Sequence, residues 1–181
     1  MDFLDQYQFF ARYNRLMNER LYALCATLSD EQRRRDAGAF FRSIHGTLNH
    51  LLLTDRGWLA RFTGDPNIAT TLEAGGTRVR FRSLDQELYA DFDTLRRERA
   101  RTDAAIDVWV ESLTPERLAA PLAYTASDGS RWEHPLWWAV THFFNHQTHH
   151  RGQLSTLLFQ LGHDPGVTDL VTMLRAPDLF K

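Results

Sequence analysis

Apolar side chains recur at helical spacing along four long stretches of the chain, separated by polar stretches. In the first of these, which begins at Phe3, an apolar residue returns at every third or fourth position. A period of about 3.6 residues predicts amphipathic helices that each bury one face. The pattern predicts four long helices, over residues 3–28, 42–62, 83–112 and 135–161.

The ends of these helices carry recognisable signals. Ser83 is expected to cap the third helix, because a serine side chain accepts a hydrogen bond from a free backbone amide of the first turn. Pro135 opens the fourth helix and Gly162 closes it. Residues 63–82 show no periodicity and are predicted to form a long loop, a kind of segment that often covers a binding site.

Two smaller elements complete the prediction. Residues 121–134 alternate around Asp128-Gly129, a dipeptide typical of a tight hairpin turn. A turn and a short final helix follow the fourth long helix. We therefore expect an all-α fold, a four-helix bundle with a small β-hairpin and a short C-terminal helix, in a single domain over residues 1–181.

The composition is that of a globular chain with nearly balanced charge. Its 181 residues are 43% hydrophobic with a formal net charge of −2, so neither nucleic acid nor a membrane is expected as a partner. No apolar run approaches the ~18 residues of a membrane span, and the N-terminus lacks the pattern of a signal peptide. We therefore expect a cytoplasmic protein. Cys25 is the only cysteine, which excludes an intrachain disulfide and a cluster of thiolate ligands.

Half of the histidines lie in one stretch of the fourth predicted helix, HFFNHQTHH. Because each residue of a helix advances by about 100°, His142, His146 and His150 form one stripe that faces the interior. Two imidazoles four residues apart on such a face can bind the same divalent cation. Two ligands hold a metal weakly, so a third is expected from another helix.

The second helix offers His45 and His50 as this third ligand. Gly46 and Gly57 lie on the same face as His50, and each glycine costs a helix about 1 kcal/mol relative to alanine. The space that they leave would suit a metal with open coordination positions. His45 points about 140° away from His50, so we favour His50.

The pattern alone leaves a structural interpretation open. A histidine stripe is also typical of a packed helix interface or an exposed polar face, and buried histidines are usually hydrogen-bonded core residues. The motif reads HQTHH, so the glutamate that serves HExxH metalloproteases as a general base is missing. No nucleophile elbow, Walker loop or dinucleotide-binding glycine motif is present.

Four segments spread along the chain resemble the DinB-like (YfiT-like) family of four-helix-bundle metalloproteins. They are YNRLMNERL, TLNHLLLTDRGWLARF, FNHQTHHRGQL and LGHDPGVTDLV, in this order and with a hairpin before the last long helix. The resemblance implies a metal bound by one histidine of the second helix and by an H-x-x-x-H pair of the last long helix. In this chain the implied ligands are His50, His146 and His150, with His142 as a neighbour of the site.

The resemblance also suggests functions. Family members are thiol-dependent transferases or isomerases that use bacillithiol, mycothiol or glutathione, or metal-dependent hydrolases. We expect a divalent transition metal, zinc or nickel, since three imidazoles suit several first-row ions. A thiol S-transferase acting on a small-molecule substrate is favoured over a hydrolase, because neither ligand motif carries a general base; Asp55 or Asp169, brought in by the fold, would reverse this preference. The third hypothesis is a non-catalytic, metal-stabilised, stress-associated binding protein.

Further residues are candidates for the surroundings of the metal. Arg61 on the His50 face and Arg151 beside His150 are expected to hold a carboxylate of the substrate or of a thiol cosubstrate, although surface salt bridges would also explain them. The amide side chains expected to line the site are those of Asn14, Asn18 and Asn49.

The fourth helix also carries aromatic residues off the histidine stripe, among them Trp137 and Phe144. A second apolar face on one helix indicates a second packing partner. We therefore expect a homodimer.

Overall fold

The computed structural model describes residues 3–65 and 81–175 of the chain. Within these ranges the helices and strands, in chain order, are α1 (Phe3–Ala26), α2 (Asp30–Arg34), α3 (Ile44–Thr63), α4 (Phe92–Glu111), α5 (Pro115–Ala119), β1 (Pro121–Thr125), β2 (Arg131–Pro135), α6 (Leu136–Gln160) and α7 (Leu170–Arg175).

The four long helices, α1, α3, α4 and α6, form the bundle. Both α1 and α3 pack against α4 and against α6, so α1 and α3 occupy opposite corners. This arrangement confirms the predicted four-helix bundle with a hairpin and a short C-terminal helix. None of the helices in the described part of the chain is long and apolar enough to cross a membrane.

The hairpin lies directly before α6 and confirms the prediction for residues 121–134. Its strands pair antiparallel, with Pro121 opposite Pro135, and Gly129 in the turn has a positive φ of 86°. Such a φ favours glycine, because a side chain at this angle would clash with the backbone. Leu136 begins α6 immediately after the hairpin, so the pairing of the strands fixes where this helix starts.

The predicted start of the third long helix is wrong. The helix begins at Phe92, and Asp91 caps it by accepting a hydrogen bond from the amide of Thr94. The preceding segment is held in a non-helical conformation by Asn49 of α3, whose Oδ1 accepts from the amides of Leu88 and Tyr89 at 2.8 and 2.9 Å. These bonds satisfy amides that a helix would otherwise use, so the tertiary contact outweighs the helical periodicity of the segment.

The same segment also contacts His45 of α3. Its Nε2 lies 2.9 Å from the carbonyl oxygen of Tyr89, and its ring is buried. This histidine is therefore a hydrogen-bonded core residue, in agreement with its predicted direction away from His50. Of the predicted loop over residues 63–82, positions 66–80 lie outside the described residues.

A layer of buried polar side chains crosses the bundle between two apolar cores. One core, near the hairpin, is built around Phe62 and Phe143, and the other around Leu52 and Leu158. We call the layer between them the polar belt. Its members are Asn14, Asn18, Asp55, Arg99, Asp103, Gln147 and Arg151, all buried.

The aromatic residues behind the homodimer prediction have different positions. Phe144 is buried within the chain, where it packs against Tyr7 and Phe10. Trp137 is exposed and stacks on Phe3, which is also exposed. Of Trp137 and Phe144, only Trp137 therefore offers surface to a second copy, and Phe144 is explained by the core of one chain.

Candidate metal centre

His50 of α3 and the pair His146 and His150 of α6 meet between these two helices. Nε2 of His150 lies 3.2 Å from Nε2 of His50 and 3.0 Å from Nε2 of His146. The two histidines of α6 are one turn apart, so their rings leave the helix on the same side. Three ring nitrogens thus converge, and this donor set is compatible with a divalent metal ion.

The hydrogen bonds of Nδ1 in His50 and His150 show which ring nitrogen carries the hydrogen. Nδ1 of His50 lies 2.8 Å from the carbonyl oxygen of Leu84, and Nδ1 of His150 lies 2.8 Å from Oε1 of Gln153. These oxygens accept, so both Nδ1 atoms donate and both Nε2 atoms present lone pairs. Two lone pairs that face each other at this distance repel, and a cation between them removes the repulsion. The geometry of these histidines therefore fits a bound metal ion.

Burial keeps these imidazoles uncharged at neutral pH. It lowers the pKa of His50 to about 4 and that of His146 to about 3, and it lowers the pKa of His150 as well. The neutral ring is the form that binds a metal. No proton competes for the three Nε2 atoms near pH 7.

Phe41 covers one side of the triad. Its ring stacks on His50 at a centroid distance of 3.7 Å and meets the edge of His150 at 5.4 Å. The carbonyl oxygen of Phe41 occupies the space that a Cβ at Gly46 would need. Gly46 therefore permits a close backbone approach, and the expectation that it leaves open space is wrong. Phe41 lies outside the periodic stretches, so no pattern in the sequence predicted its contact with the triad.

A cavity of about 820 Å³, which we call the metal cavity, lies beside the triad, and Phe41 is not among its wall residues. His50 and His146 lie in its wall, together with residues of α3, of β1 and of the turn that follows β1. A Cβ at Gly57 would meet nothing within 4 Å, so this glycine does leave open space. Among the wall residues that the structure describes, none is an aspartate or a glutamate.

Arg61 lies in the wall of the same cavity. Its guanidinium stands 4.8 Å above the ring of Trp58 and 5.4 Å from that of Tyr124. Burial lowers the pKa of Arg61, but a guanidinium stays charged at any physiological pH. It forms no ion pair with any residue in the described ranges, which makes it an available cation beside the candidate metal site.

The other predicted ligand-holding residues lie elsewhere. Arg151 follows His150 directly and so points about 100° away around α6, into the polar belt. There its Nη1 donates to Oδ1 of Asn14, while Asn14 and Asn18 both donate to Asp103. These three predicted residues meet one another through the belt, and no contact between described residues joins them to the triad.

The two acidic residues considered as general bases also lie outside the cavity. Asp55 is 1% exposed and accepts a 2.5 Å hydrogen bond from Nη1 of Arg99. Asp169 lies in the wall of a different cavity, on the other side of α6. His142 does lie in the wall of the metal cavity, with its ring centroid 5.6 Å from that of His146.

Comparison with known proteins adds one finding. The model of the DinB family matches residues 3–178, which is nearly the whole chain and includes all three histidines of the triad. No curated protein matches the chain.

Proposed function

Because the chain belongs to the DinB family, we propose that it is a metal-dependent enzyme whose divalent ion is bound by His50, His146 and His150. The observation that carries this proposal is the position of the triad at the wall of a large cavity. Three protein ligands with open space beside them are typical of catalytic metal sites, whereas structural sites are closed by a fourth ligand.

The ion would supply a nucleophile at neutral pH, either by holding a thiol as its thiolate or by lowering the pKa of a water molecule. The chain's own residues would orient the reactants. Arg61 would bind a carboxylate of the thiol cosubstrate or of the substrate, with Trp58 and Tyr124 keeping its guanidinium in place. Phe41 would exclude water from the face of His50 on which its ring stacks.

We favour a thiol S-transferase. A thiolate needs no base once it has formed, and no carboxylate lies in the described wall of the cavity. The sulfur would attack an electrophilic carbon of a small-molecule substrate, so that the sulfur–carbon bond forms as the bond to the leaving group breaks.

A metal-dependent hydrolase is the second candidate, and His142 is the observation in its favour. A neutral imidazole in the cavity wall is a suitable general base for water. In a third possibility, a non-catalytic metal-stabilised protein linked to stress, the cavity would have no chemical use. Zinc or nickel as the metal and the cytoplasm as the location remain predictions from the sequence.

Metal binding is tested by replacing the ligands. His50→Ala and His150→Ala should each abolish stoichiometric metal in the purified protein, measured by inductively coupled plasma mass spectrometry. His163→Ala is the control, because His163 lies outside the triad and outside the cavity wall beside it and should leave the metal content unchanged. Normal metal content in both ligand variants would rule out this site.

The reaction class is tested by supplying both nucleophiles. The zinc- or nickel-loaded protein is incubated with an activated aryl halide or an activated ester, with and without bacillithiol, mycothiol or glutathione. A transferase should form the thioether only with thiol present and should lose this activity in His150→Ala. Ester hydrolysis without thiol that depends on His142 would favour the hydrolase, and no turnover of either kind would favour the non-catalytic alternative.

A further inference from the structure

A second cavity lies on the side of α6 that faces away from the triad. It measures about 480 Å³ and is enclosed by α1, α6 and the segment that leads into α7. None of the three histidines of the triad is among its wall residues. Its volume is within the range of small-molecule binding sites, roughly 300 to 1,000 Å³.

The interior of this cavity is mainly apolar. Phe10, Met17 and Leu21 of α1 form one wall, and Phe144 of α6 and Leu170 of α7 face them. Such a surface favours a hydrocarbon chain or ring over a polar ligand, because the ligand loses water on entering.

One buried cation interrupts the apolar wall. Arg151 is 5% exposed, and its guanidinium lies 5.2 Å from the ring of Tyr13. Its hydrogen bonds go to the neutral oxygens of Asn14 and Thr148. No carboxylate in the described ranges lies within ion-pair distance of it, although most buried charges are directly paired.

The mouth of the cavity has a different character. Asn145, Thr148 and Gly152 lie along the exposed edge of α6, and a Cβ at Gly152 would meet nothing within 4 Å. Asp169, also exposed, lies at the α7 side. A ligand with one negative charge would place it on Arg151 and keep its apolar body in the cavity, whereas a second negative charge near the mouth would be repelled by Asp169.

We infer that this cavity is a binding site for a small amphipathic monocarboxylate, separate from the metal centre. The carboxylate accepts hydrogen bonds from Arg151 and forms a direct ion pair with its guanidinium, on which Asp55 and Asp103 of the polar belt act only from beyond ion-pair distance. The apolar body fills the space between α1 and α6. This site does not depend on the proposed enzymatic function, since it shares no wall residue with the metal cavity.

The inference is tested with octanoate as the probe and octanamide as its uncharged counterpart. Calorimetry on the metal-loaded full-length protein should show octanoate binding at least tenfold more tightly than octanamide. Arg151→Met should remove this preference by weakening octanoate at least tenfold. Met17 lies in the cavity wall, so the carbon-13 signal of its methyl group should shift as octanoate is added.

A second variant keeps the test decisive if Arg151→Met does not fold. Gly152→Phe should fill the mouth and abolish octanoate binding, while Gly57→Phe, at an equally open glycine in the metal cavity, should leave it intact. Removing the metal with a chelator should also leave it intact. No octanoate binding, equal binding of octanamide, or binding that survives Gly152→Phe would each overturn the inference.

Discussion

At the scale of single residues, two glycines on one face of α3 have opposite surroundings. Gly46 lies against the backbone carbonyl of Phe41, and Gly57 lies against open space. We predict that Gly46→Ala lowers the free energy of unfolding by about 1 to 3 kcal/mol, because the added methyl group displaces Phe41. Gly57→Ala should raise it by about 0.5 to 1 kcal/mol, because alanine favours a helix.

Urea denaturation of both variants measures the two effects. The Gly46→Ala variant should also bind metal more weakly, since Phe41 stacks on His50. Equal effects of the two substitutions on stability would contradict the close approach of Phe41 to α3.

Gln153 is predicted to affect metal binding through its contact with His150. Its Oε1 lies 2.8 Å from Nδ1 of His150 and so fixes the ring orientation and the form of this imidazole. Gln153→Leu should weaken metal binding roughly 10- to 100-fold, a typical cost for losing the hydrogen-bond partner of a ligand. Competition with a chromophoric chelator measures the change. An unchanged affinity would show that Gln153 does not position His150.

At the scale of elements, the segment before α4 connects the fold to the metal centre. Asn49 binds the backbone of Leu88 and Tyr89, and the carbonyl oxygen of Leu84 in the same segment binds His50. A residue on α3 thus holds a chain segment that in turn orients a histidine of α3.

We predict that Asn49→Ala lowers the free energy of unfolding by about 2 to 4 kcal/mol, because it leaves two buried backbone amides without their acceptor. Hydrogen exchange at Leu88 and Tyr89 should accelerate. Asn145→Ala, at an exposed position of α6, is the control and should change stability by less than about 0.5 kcal/mol. Unaltered exchange at Leu88 and Tyr89 would contradict this role of Asn49.

At the scale of the whole molecule, stability without metal should depend on pH. Unfolded imidazoles bind protons below about pH 6.5, whereas His50 and His146 in the folded chain have pKa values of about 4 and 3. The unfolded state therefore binds more protons between these values, and the contribution of the triad to stability falls as the pH falls from 6.5 to 4.

Asp103 opposes this trend, because burial raises its pKa in the folded chain to about 6. The folded chain therefore binds this proton at a higher pH than the unfolded chain does, and the contribution of Asp103 to stability rises as the pH falls. The contribution of the triad is isolated by urea denaturation of the chelator-treated wild type and of His146→Leu at pH 7.5, 6 and 5. The variant should lose less stability than the wild type on acidification. A parallel pH dependence of the two proteins would be evidence against buried neutral histidines.

The homodimer remains a proposal at this scale. Trp137 and Trp138 are exposed at the start of α6, next to the exposed ring of Phe3. We expect sedimentation to show a dimer and Trp137→Ser with Trp138→Ser to shift it towards monomer. A wild-type protein that sediments as a monomer at high concentration would exclude the dimer.

The sequence by itself determined the long helices, the hairpin and the spacing of His146 and His150. Each of these depends on residues that are close along the chain: the helical period, a turn dipeptide, or two rings one turn apart. The choice of His50 came from its direction on the second predicted helix together with the family resemblance. A resemblance of this kind carries information about distant contacts that periodicity does not contain.

Only the tertiary structure decided which neighbours these helices meet. The late start of α4 depends on Asn49, about 40 residues away along the chain, and the triad joins residues 100 positions apart. Helical spacing gave the direction of Arg151 relative to His150, but it could not tell that this direction leads to a second cavity. The polar belt and the different surroundings of Gly46 and Gly57 were decided in the same way, because packing between helices depends on the shapes of both surfaces and not on the pattern of either one.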